Sequence, residues 1–166
     1  AQEGVVLVSP PESDEFFCRD ILSGAVRMAP QRRNAYRYLA GMRDGRVIVA
    51  GERQVVAFDM NSGRPTWQCE FPKGLFLAGK GLWQSDSLML PLTDRQLIRV
   101  DTSDGRIVEQ TQVAQPLGNL FAYRDQLLSV NAAAVSVYYT RDALAREVAE
   151  RLAANPHDTW ALNQQS

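Results

Sequence analysis

Three aspartates recur in one short setting: Asp20, Asp59 and Asp101 each stand four residues before a glycine, in "DILSG", "DMNSG" and "DTSDG". Carboxylates of this kind can act as general bases or, grouped, as ligands of a divalent cation. Here, however, each sits among Ser, Asn and Gly. A carboxylate so placed accepts backbone N–H bonds inside a turn, while Gly24, Gly63 and Gly105 supply the positive φ of a tight connection. Turn chemistry accounts for both residue type and spacing, so the three aspartates are assigned structural roles. Cys18 and Cys69 stand alone rather than in CxxC pairs, which gives no support to a zinc or thioredoxin-type site. They read as small buried hydrophobes, and their spacing leaves a mutual disulfide open. His157, the one histidine, has no carboxylate or Cys/His partner at motif spacing and reads as an exposed loop residue. No catalytic, cofactor-binding or metal-ligating residue is assigned.

The elements that must position these residues are short. Apolar runs such as "GVVLVS", "GRVIVAG", "QVVAFD", "DSLMLPL", "QLIRVD" and "AVSVYY" are separated by Gly, Asp, Asn and Ser clusters. Rich in Val, Ile, Leu and Phe and too short for free-standing helices, they predict strands in an antiparallel meander. In "GRVIVAGERQVVAFD" two strands join at Glu52-Arg53, and a third follows through the Ser62-Gly63 turn. Asp20 and Asp59 are 39 residues apart, and Asp59 and Asp101 are 42 apart. A period near 40 made of short strands is the signature of β-propeller blades. Tyr139, 38 residues after Asp101, marks a fourth copy without its Asp-Gly turn.

Within the second copy, Ala57-x-Asp59-x-x-Ser62-Gly63-Arg64-x-x-Trp67 resembles the tryptophan-docking repeat of the quinoprotein-like (PQQ-like) β-propellers. The resemblance covers about residues 4 to 139 and implies that Trp67 packs between neighbouring blades. The corresponding position holds Met28 in the first copy and Glu109 in the third, where that docking is expected to weaken. The family's enzymes are similar to one another in a vicinal Cys-Cys disulfide, a Trp beneath the quinone, and Glu, Asn and Asp ligands to calcium. No two cysteines are adjacent in this sequence, and no such ligand string is recognisable, so no quinone or other cofactor is carried over. Other members, such as the outer-membrane β-barrel assembly lipoprotein family, are non-catalytic propellers that present blade loops to protein partners.

After Tyr139 the apolar period becomes helical. Leu144, Val148 and Leu152 fall on one face, with Arg141, Arg146, Glu147 and Arg151 mostly outward. Thr140 is the expected N-cap, Asp142 lies in the first turn, Asn155-Pro156 ends the helix, and Asp158 caps a second one. "LAANPHDTWAL" resembles the junction between tetratricopeptide (TPR) repeats. Residues 1–139 are therefore expected to form incomplete propeller blades, about three to four of them. Residues 140–166 are expected to form a helical hairpin resembling the start of a TPR.

Composition narrows the function. With 18 basic against 19 acidic side chains among 166 residues, and no run of either sign, nucleic acid is not expected as a partner. No apolar run approaches the roughly 18 residues of a membrane span. An all-β propeller with an unfinished blade at each end reads as a segment cut from a longer protein, completed by the rest of its own propeller or by self-association. The leading expectation is a non-catalytic scaffold or protein-interaction module, with Arg32, Arg33, Arg43 and Arg53 as candidate loop contacts. The alternatives are the structural part of a quinone-dependent dehydrogenase and an accessory or sensor propeller of another enzyme. The family resemblance implies a periplasmic or cell-envelope location, which is the expectation here.

Overall fold

The computed structural model describes residues 4–33, 36–139 and 141–164. They form four antiparallel sheets in chain order. The first holds β1 (Val5–Val8), β2 (Glu15–Asp20) and β3 (Val26–Arg32). The second holds β4 (Tyr36–Arg43), β5 (Arg46–Gly51), β6 (Gln54–Asp59) and β7 (Pro65–Glu70). In the third are β8 (Leu82–Gln84), β9 (Ser87–Leu92), β10 (Gln96–Asp101) and β11 (Ile107–Gln112). The fourth holds β12 (Asn119–Tyr123), β13 (Gln126–Val130) and β14 (Val135–Tyr139). Each strand pairs with its sequence neighbour, so the chain is a meander of β-propeller blades.

The repeated aspartates give the blades a common register. Asp20, Asp59 and Asp101 close β2, β6 and β10. By that alignment β1–β3 correspond to the last three strands of a blade. Tyr139 closes β14 at the aspartate's place, so β12–β14 correspond to the first three.

The apolar runs of the second sheet follow from its position between two others. Along β5 and β6, Val47 pairs with Phe58, Ile48 with Ala57 and Val49 with Val56. Successive side chains point to opposite faces. Val47, Val49, Val56 and Phe58 therefore enter a core with Val5, Phe16, Cys18 and Met28 of the first sheet. Ile48, Val55, Ala57 and Cys69 enter a second core with Leu88, Leu90, Leu92, Ile98 and Val100 of the third. A sheet buried on both faces has no polar alternation to display, which is why "RVIVAG" and "QVVAF" are nearly continuous apolar runs. Phe16, Tyr36 and Phe58 meet edge to face between the first two sheets, at centroid distances of 5.8 to 6.2 Å. The cysteines fall in the two different cores, and both thiols are free.

Helix α1 (Arg141–Ala154) follows the fourth sheet and leads to the short α2 (Thr159–Asn163). Val148 of the expected stripe is buried with Ala143 and Ala161, while Leu144 and Leu152 are half-buried. The Asp158 carboxylate accepts the Ala161 N–H at 2.9 Å and caps α2. The expected Thr140 cap and the Asp142 side chain lie outside the described residues. Arg151 is exposed, as expected, and there bonds Glu147 at 2.7 Å and lies over the Trp160 ring, 4.5 Å from its centroid. Trp160 in turn meets Tyr139 at 6.1 Å, and Arg146 pairs with Asp125 of the β12–β13 turn, which fastens the hairpin to the fourth sheet.

Candidate functional site

The three Asp-Gly turns are built alike. The Asp20 carboxylate accepts the N–H groups of Leu22 and Ser23 at 3.1 and 2.9 Å and the Ser23 hydroxyl at 2.9 Å. Asp59 does the same for Asn61, Ser62 and the Ser62 hydroxyl. Asp101 binds both donors of Ser103, and Asp104 accepts the Arg106 N–H at 2.9 Å. These donors favour the charged form, the Ser23 and Ser62 backbone N–H groups first and the Ser103 hydroxyl first, and hold all three carboxyls below the ordinary aspartate range. Gly24, Gly63 and Gly105 have φ of 72°, 66° and 78°.

Two of these glycines, Gly63 and Gly105, also receive side chains from the preceding blade. Trp67 of β7 lies on Gly105: a Cβ there would come within 2.5 Å of the indole Cε3. The indole Nε1 donates to the Thr102 carbonyl at 3.1 Å. Met28, at the tryptophan's position in the first copy, lies in the same way toward Gly63, whose added Cβ would be 3.5 Å from Met28 Cγ and 2.8 Å from Gln31 Nε2. Met28 is fully buried, so a flexible thioether fills the place of the ring at this junction. Glu109, in the third copy, instead bonds Arg99 of its own sheet at 2.9 Å.

A second tryptophan fastens the same pair of blades. Trp83 of β8 donates its Nε1 to the Ala40 carbonyl at 2.8 Å and lies against Gly41, where φ is 150°. Nearby, the Gly81 N–H donates to Tyr38 Oη at 2.7 Å, and burial raises the Tyr38 phenol above its ordinary range. Arg43 reaches from the end of β4 to Asp86 and the Ser85 carbonyl and stands 5.7 Å from the Trp83 ring centroid. Trp83 carries no repeat signature; only its size and the nearby glycine could have drawn attention to it.

The third and fourth sheets join differently. Their first strands are stitched through Lys80, whose N–H donates to Asn119 Oδ1 at 2.8 Å and whose carbonyl accepts the Leu120 N–H at 2.9 Å. Gly79 and Gly118 touch backbone to backbone there. Further out, a cavity of about 610 Å³ separates the sheets, lined by Trp83, Leu97, Arg99, Glu109, Leu127 and Tyr138 among others. Tyr138 Oη, on that wall, is buried without a hydrogen-bond partner among the described residues. Most of the large exposed apolar side chains lie at the two ends of the blade series, Ile21, Leu22 and Val26 on the first sheet and Phe121, Tyr123, Val135 and Val137 on the fourth, with Val108 on the third sheet and Leu162 on α2 besides.

The four candidate arginines are dispersed rather than gathered. Arg32 is exposed at the end of β3, and Arg53 is exposed in the β5–β6 turn, 5.2 Å from the Phe76 ring centroid. Arg33 and Arg43 are half-buried and engaged within the fold. Arg33 donates to the Ser9 hydroxyl and the Ser13 carbonyl, both at 3.0 Å, and Arg43 is held as described above. His157 is exposed, its backbone N–H donating to Asn155 Oδ1 at 3.1 Å. Among the described residues no three His, Cys, Asp or Glu side chains stand close enough to hold a metal ion. No described helix is long and apolar enough to cross a membrane.

No protein-family model matches this chain, and no curated protein sequence does. Among solved structures it is similar to BamB from Moraxella catarrhalis, with a TM-score of 0.60 and 18% identity over 84% of this chain and 44% of that one. It is similar to the computationally designed Ika4 protein, with a TM-score of 0.62 and 14% identity over 84% of this chain and 87% of that one. A europium-containing methanol dehydrogenase matches with a TM-score of 0.50 and 17% identity over 68% of this chain and 24% of that one. The chain thus spans less than half the length of the BamB chain. At these identities the likeness speaks for the fold, which is that of β-propeller blades.

Proposed function

We propose that this segment is a non-catalytic β-propeller module that acts as a scaffold by presenting its end blades and loops to proteins. The observation that carries this reading is the distribution of exposed apolar side chains. The cores on either side of the second sheet are sealed, whereas Leu22 is 94% exposed on the first sheet and Val135 is 65% exposed on the fourth. Apolar surface concentrated in this way marks a surface that associates. Arg32 and Arg53, the more exposed of the four arginines, are the charged contacts of this reading. Its TPR-like hairpin belongs to a second interaction architecture, and a cell-envelope location goes with it through the family resemblance.

Photocrosslinking residues placed at Leu22 and Val137, with controls at Asn61 and Ser103 in turns of the interior blades, test the reading in extracts of the source cells. Adducts with defined proteins are expected from the first pair and not from the controls. No adducts at all, or equal adducts from all four positions, would overturn it.

A further inference from the structure

Across the third sheet one row of side chains lines the cavity toward the fourth: Leu82 pairs with Met89, Met89 with Arg99, and Arg99 with Glu109. The answering row of the fourth sheet runs Ala122, Leu127, Tyr138. Residues paired directly across strands share one face of a sheet. At the two junctions of the second sheet such faces are filled by apolar side chains. Here one row ends in an ion pair, Arg99 with Glu109 at 2.9 Å, and the other begins with an alanine, so space is left between the sheets.

We propose that this cavity is a binding site for a small aromatic carboxylate that carries a hydroxyl or carbonyl oxygen on its ring. Its volume of about 610 Å³ falls within the roughly 300–1,000 Å³ of small-molecule pockets. Three features set the ligand's chemistry. Leu82, Met89, Leu97 and Leu127 give half-buried apolar walls, and the Trp83 and Tyr138 rings stand among them, which suits a flat aromatic body. Tyr138 Oη is buried without a hydrogen-bond partner among the described residues, so its lost hydration is uncompensated until a ligand oxygen reaches it. The third feature is charge. Of the charged residues on the lining, Arg99 pairs with Glu109, and Asp125 pairs with Arg146. Arg124, exposed at the margin and 5.4 Å from the Tyr123 ring centroid, has no carboxylate partner among the described residues. One unmatched guanidinium suits a singly charged carboxylate, which it can bind through two parallel N–H bonds. The site lies on the opposite face of the fourth sheet from Phe121, Leu128 and Val137, so it is separate from the exposed apolar surface of the scaffold reading.

The test is a titration of the isotope-labelled full chain, followed by amide and methyl NMR, with three probes: para-hydroxycinnamate; cinnamate, which lacks the hydroxyl; and para-propenylphenol, which lacks the carboxylate. Saturable shifts at the two facing rows are expected, with each truncated probe bound at least about fivefold more weakly, as loss of one hydrogen bond or one charge pair implies. Tyr138→Phe should erase the preference for para-hydroxycinnamate over cinnamate and leave cinnamate binding unchanged. Arg124→Gln, at an exposed position where folding is not at stake, should erase the preference over para-propenylphenol. The proposal is overturned by absence of saturable shifts at these rows, or by shifts centred instead on Phe121 and Val137 of the opposite face. Equal affinity for para-hydroxycinnamate and either truncated probe also overturns it, as does either variant keeping the parent's preferences.

Discussion

Trp67 and Gly105 form a single contact: the indole lies where a side chain of residue 105 would begin, and its N–H is anchored one turn away on the Thr102 carbonyl. The contact joins the second blade to the third and ties a turn residue's type to a ring 38 positions earlier.

Substituting either partner should be costly. Trp67→Ala is expected to destabilise the chain by about 3 kcal/mol, the low end for an aromatic truncation because the ring is half-buried. Trp67→Phe, which keeps most of the ring but loses the bond to Thr102, should cost roughly half of that. Urea unfolding midpoints give both values, and a Trp67→Ala protein as stable as the parent would rule out the docking role.

Gly105→Ala and Gly24→Ala separate backbone strain from packing. Both place a β-carbon at positive φ, worth about 1–2 kcal/mol, but only at residue 105 does it collide with the indole. Overpacking adds about 1–3 kcal/mol, so Gly105→Ala should be clearly the less stable of the two. Equal midpoints would mean that the ring moves aside freely.

The turn aspartates make stability depend on acid. Their folded-state carboxyls lie below the ordinary value of about 3.9. Their contribution is therefore fully present above that value and is lost as pH falls through the depressed folded-state values. Unfolding midpoints measured from neutral pH down to about pH 2 should drop in that window. The triple variant Asp20→Asn, Asp59→Asn, Asp101→Asn should start lower and show a flatter profile. An identical slope in both proteins would place the acid sensitivity elsewhere.

Burial pushes the thiols of Cys18 and Cys69 up to about 11. Thiolate is the reactive form, so both should react slowly with a chromogenic disulfide reagent near pH 8 and rapidly in denaturant. Fast labelling of the folded chain would show that one of the two cores opens.

Much of the architecture is legible in the sequence. The spacing from Asp20 to Asp59 to Asp101 marks the blades, because turn residues must return once per sheet and each turn type admits few side chains. The continuous apolar runs of β5 and β6 likewise announce strands, and Asp158 announces its helix cap. Across the blade junctions the sequence is silent. That Met28 serves where Trp67 does, that Trp83 reaches the Ala40 carbonyl, and that Arg43 is held rather than free all depend on which sheet faces which. A side chain at a junction answers to a neighbour some 40 residues away, and local pattern carries no record of that neighbour's shape. Only the packed blades decide which glycine is covered and which is open, because coverage is a property of two surfaces meeting and a repeat motif describes one of them.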